Sequence, residues 1–90
     1  MTNSPEAFAD LVRLKRQLYD LNEQHALWCM TLPPALEMAE DQHVRMRQTQ
    51  ARMTELAVQI RRHKAFEGLD QMGRYTLDTE ASKQARAGGE

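Results

Sequence analysis

Apolar residues recur at alternating steps of three and four along the first third of the chain: Leu11, Leu14, Leu18, Leu21, then His25, Trp28 and Leu32. Three repeats of such a heptad seam predict a helix that buries this side against another helix. Pro5 suits the first helical position, Ser4 can cap a free backbone N–H, and the acids Glu6 and Asp10 suit the positive end of the helix dipole. Pro33 pushes Leu32 out of helical geometry and Pro34 reinforces the break, so this helix is predicted over about residues 5–30.

Good helix formers without an internal Gly or Pro predict a second helix over about residues 33–66, ending near Gly68. The two prolines fit its first turn, with Thr31 or Leu32 as cap. Its charges are ordered as the dipole prefers, with Glu37, Glu40 and Asp41 near the start and Arg61, Arg62 and Lys64 near the end. From Leu69 onward, Met72, Tyr75 and Leu77 keep no sustained period, and Thr79 to Glu90 is small and polar. This segment is predicted as a tail with room for one short helix that packs back, mobile beyond Thr79.

The expected fold is all-α: a coiled-coil-like antiparallel hairpin over residues 1–68, followed by a flexible tail over 69–90. Reflection through the prolines places Trp28 near Leu36, Leu18 and Tyr19 near Met46, Leu11 and Val12 near Met53, and Phe8 near Leu56, Ala57 and Ile60. Phe8, Val12, Tyr19 and Ala26 form a second apolar stripe that one partner helix cannot cover. A core of this size seldom gives more than about 3–5 kcal/mol. Completion to a helical bundle, by self-association or by docking on a larger protein, is therefore expected. The predicted interface is Leu11, Leu14, Leu18, Tyr19, Leu21, Trp28, Met46, Met53, Leu56 and Ile60.

Composition agrees with thin helices sharing surface: the 90 residues are 28% charged, 41% apolar and only 6% aromatic. A net charge of −1 gives the molecule no overall field toward nucleic acid or an anionic membrane. The single cysteine, Cys29, has no internal disulfide partner, and the first residues carry no secretory pattern, so a cytoplasmic setting is expected. The longest apolar run, Ala26 to Met30, is far short of the roughly 20 residues of a membrane span.

Candidate chemistry is sparse. His25 and Cys29 stand one helical turn apart, with His43 and Glu40 across the hairpin, and these are donor types that zinc takes. They lack the close-spaced pairs of zinc modules, so no metal or cofactor is expected, and the histidines are assigned to packing that protonation would weaken. The run Arg61-Arg62-His63-Lys64 would overhang the shorter first helix and could meet nucleic acid, the alternative to protein binding. Only Ser4 and Ser82 are available as serine nucleophiles, and a thin hairpin offers no deep cleft, so neither catalysis nor a small-molecule substrate is expected. The sequence thus predicts a non-enzymatic adaptor, inhibitor or structural subunit that acts through an apolar helical seam.

Overall fold

The computed structural model describes residues 5–87, so the proposed cap Ser4 and the terminal glycines lie outside it. The chain is all-helical, with three helices packed together and no strand among the described residues. They are α1 (Pro5–Cys29), α2 (Glu40–Arg61) and α3 (Gln71–Ala87), with single 3-10 turns at Ala35–Glu37 and Lys64–Phe66. α1 is the common neighbour: α2 and α3 each pack along it, and neither packs comparably on the other.

The first helix ends as its sequence predicts, with the Thr31 hydroxyl donating to the Trp28 carbonyl at 2.6 Å before the prolines. The second begins later than residue 33. Pro34, Met38 and Ala39 hold extended backbone. α2 starts only at Glu40, where the Gln42 amide oxygen accepts from the Ala39 N–H at 2.8 Å and two acids meet the dipole. The longer connection shifts the pairing by more than two helical turns. Asp10 meets His63 instead of the Met53 neighbourhood, and Trp28 meets Arg45 instead of Leu36. These two contacts show that α1 and α2 run in opposite senses.

The basic run does not overhang. α2 stops at Arg61, and the chain folds under α1, burying His63, Ala65 and Phe66. Gly68, at φ 78°, turns the backbone through a region side chains avoid. The predicted tail is instead α3. Asp70 Oδ1 accepts from the Gly73 N–H at 2.7 Å and starts the helix. Ala81 and Ala85, four apart and both buried, let α3 approach α1 closely.

α3 takes up much of the second stripe of α1. Lys15 sits between Val12 and Tyr19 on that stripe and is only 6% exposed; its Nζ donates to Ser82 Oγ at 2.9 Å and pairs with Asp78 at 2.7 Å. The Tyr19 hydroxyl donates to the same Ser82 oxygen at 3.1 Å, and Arg86 lies over the Tyr19 ring. The Arg16 guanidinium reaches the carbonyls of Gln84 and Ala85. Buried polar atoms need such partners, and this network supplies them where the stripe is not apolar.

Candidate interaction surface

Burial divides the molecule. Every buried residue lies within 7–15 or 56–85, and none from Arg16 to Glu55 is buried. The core joins Ala7, Leu11, Val12 and Leu14 of α1 to Leu56 and Ile60 of α2, to Ala65 and Phe66, and to Ala81 and Ala85 of α3. Leu18, Tyr19 and Leu21 are half-buried against it. Six of the ten predicted interface residues, Leu11, Leu14, Leu18, Leu21, Leu56 and Ile60, thus serve the chain's own core, and Tyr19 is engaged by α3.

Trp28, Met46 and Met53 remain on the other part, where α1 and α2 run without a third helix and are only half-buried. At 17 residues α3 is about 25 Å long, against about 37 Å for α1, and it ends before the far turns of α1. This far part, the tip, exposes Leu27 (60%), Met30 (82%) and Leu36 (100%). Leu36 sits on the 3-10 turn Ala35–Glu37, held out by the two prolines.

Cys29 Sγ lies 3.5 Å from His25 Nε2, and the His25 and Trp28 rings are 5.9 Å apart. Arg45 covers the Trp28 ring at 4.3 Å. His25 Nδ1 is buried without a hydrogen-bond partner among the described residues. His43 and Glu40 do not join the pair: no group of three or more His, Cys, Asp or Glu that could hold a metal ion exists among the described residues.

His63, in contrast, is fully engaged. Its Nδ1 accepts from the Ala65 N–H at 3.0 Å, which leaves Nε2–H to donate to Asp10 Oδ2 at 2.8 Å. The hydrogen bond from His63, and after it that from Arg13, hold the Asp10 carboxyl below its ordinary 3.8. Sequence reasoning placed His63 only within a basic run; its position two residues before Ala65, at the head of the buried Ala65-Phe66 pair, was the available signal.

Arg61, Arg62 and Lys64 are exposed at the base. Arg74 of α3 joins them: its guanidinium donates to the Arg61 carbonyl at 3.1 Å and covers the Phe66 ring at 4.5 Å. None of these four cations has a carboxylate within 4.0 Å among the described residues. Between α2 and α3, which make little contact with each other, lies an open groove of about 400 Å³, lined chiefly by Ile60, Arg61, Phe66, Arg74, Tyr75 and Asp78. Tyr75 is 69% exposed there.

Ser82, the serine within the described residues, accepts from Lys15 Nζ at 2.9 Å, and the same nitrogen lies 2.7 Å from Asp78 Oδ1. No described helix is long and apolar enough to cross a membrane. Comparison with protein-family models, curated proteins and solved structures finds nothing that matches this chain.

Proposed function

We propose that this chain is a non-enzymatic protein–protein interaction module whose working surface is the two-helix tip. The observation that carries this reading is the absence of any buried residue from Arg16 to Glu55 in a segment that exposes Leu27, Met30 and Leu36. Burying one such side chain yields about 1.5–3 kcal/mol, so a partner covering all three gains several kcal/mol toward the cost of association. In this reading the tip behaves as an antiparallel, coiled-coil-like hairpin that a second copy or another protein completes to a bundle.

Light scattering over a concentration series tests the self-associating form. Wild type is expected to exceed the mass of one chain, and Met30→Glu with Leu36→Glu to return it to one chain at unchanged helicity. Equal masses for the two proteins would remove the tip from the account.

A second reading, nucleic-acid association through Arg61, Arg62 and Lys64, draws on their exposure and their lack of carboxylate partners among the described residues. It requires binding that weakens steeply with salt and with neutralisation of these three residues.

A further inference from the structure

Charge is sorted between the two ends. Residues 22–55, the tip, hold five acids and three cations, whereas residues 5–21 and 56–87, the base, hold seven acids and nine cations. Glu23, Glu37 and Asp41 at the tip are in no ion pair among the described residues. At the base Arg61 and Arg74, unpaired among the described residues, line the groove between α2 and α3 together with Asp78, whose charge is matched by Lys15; the exposed Arg62 and Lys64 follow Arg61 in the chain, and the intervening turn carries the acids Glu67 and Asp70.

Apolar surface follows the same division. The tip ends in a knob: Leu36, fully exposed, followed by Glu37 and held on a 3-10 turn behind Pro33 and Pro34. The proline-fixed backbone loses little freedom when it docks. The base offers the complementary hollow, about 400 Å³, with Ile60 and Phe66 as its floor and Tyr75 standing free at its rim. Acids beside an apolar knob thus correspond to cations beside an apolar hollow, on one and the same chain.

From this juxtaposition we infer that the occupant of the groove is a second copy of this chain, joined head to tail: the Leu36 turn of one molecule enters the α2–α3 groove of the next, with Glu37 beside Arg61 or Arg74. This rests on the reading of the tip as a docking surface and adds what it docks into. A tip–groove contact uses two different patches, so it leaves a free tip and a free groove at the ends and propagates. The mass of the assembly therefore climbs with concentration and does not stop at two chains. Attraction between exposed charges is screened, so raising salt from about 0.05 M to about 1 M shrinks the assemblies.

Two variants built on exposed positions separate the geometries. The tip variant carries Met30→Glu and Leu36→Glu; the groove variant carries Arg61→Glu and Tyr75→Ala, and circular dichroism checks that both keep wild-type helicity. Each alone is expected to remain at one chain by light scattering, with at least a tenfold loss in self-affinity. Mixed in equal amounts, they are expected to form a species of two chains and nothing larger, because one supplies an intact groove and the other an intact tip. A groove variant that assembles as wild type does overturns the inference while leaving the tip as docking surface, since tips then meet tips. A mixture that stays at one chain while wild type assembles also overturns it. Wild type at one chain over the whole series removes self-association itself, and the inference with it.

Discussion

The base and the tip are built from the same two helices, yet only one is a protein interior. At the base, α1 has neighbours on two sides, Leu11 and Leu56 are fully enclosed, and the buried polar groups are answered: His63 uses both ring nitrogens, and Lys15 finds a serine and a carboxylate. At the tip, α1 has one neighbour, Trp28 is shielded on one face by Arg45, and His25 leaves Nδ1 unanswered. The difference is the third helix. Two helices in contact bury one stripe each, and a stripe is too narrow to enclose a side chain from every direction.

That contrast can be broken most sharply through the core. Leu11→Ala is expected to cost about 2–5 kcal/mol in urea denaturation, whereas Leu27→Ala at the tip should cost less than about 0.5 kcal/mol. Equal effects would deny that the ends differ. Ala81→Leu forces a larger side chain into a fully buried position of α3 and should cost about 1–3 kcal/mol. A neutral result would mean that α3 does not lie tightly on α1. Gly68→Ala is next, at about 1 kcal/mol, because the turn needs φ 78°.

The smallest expected effect is a pH dependence. The Asp10 carboxyl is lowered in the fold, so it stabilises the protein above its unfolded value, and that contribution is lost as pH falls through the folded value. The side chain is 40% exposed, and screening limits the effect to under about 1 kcal/mol. Asp10→Asn should therefore be less stable than wild type near neutral pH by under about 1 kcal/mol, with the gap closing below about pH 4. A gap that widens on acidification would contradict the assignment.

Much of this was legible in the sequence, but unevenly. The α1 seam and its stop before Pro33 are strong local signals, and α1 ends at Cys29, one residue from where periodicity puts it. α3 was hidden because its buried positions are alanines, which look like solvent-facing helix, and because its partner stripe on α1 is interrupted by Lys15, whose burial depends on Asp78 and Ser82 far along the chain. The Asp70 cap and the Leu77, Ala81, Ala85 spacing were the faint traces of it. The pairing of α1 with α2 was displaced for a different reason. Two prolines fit a helix start as well as a loop, and only the extended backbone at Met38 and Ala39 decides between them. The groove was out of reach, since it lies between two helices that pack on α1 rather than on each other and leaves no periodic mark.

Amide hydrogen exchange followed residue by residue at low and high protein concentration tests the central division most directly. The account predicts slow exchange at both concentrations for residues 7–21 and 56–85, and for residues 22–55 fast exchange when dilute that slows as concentration rises. Uniform protection along α1 and α2 in the dilute protein, unchanged on concentrating it, would contradict the account.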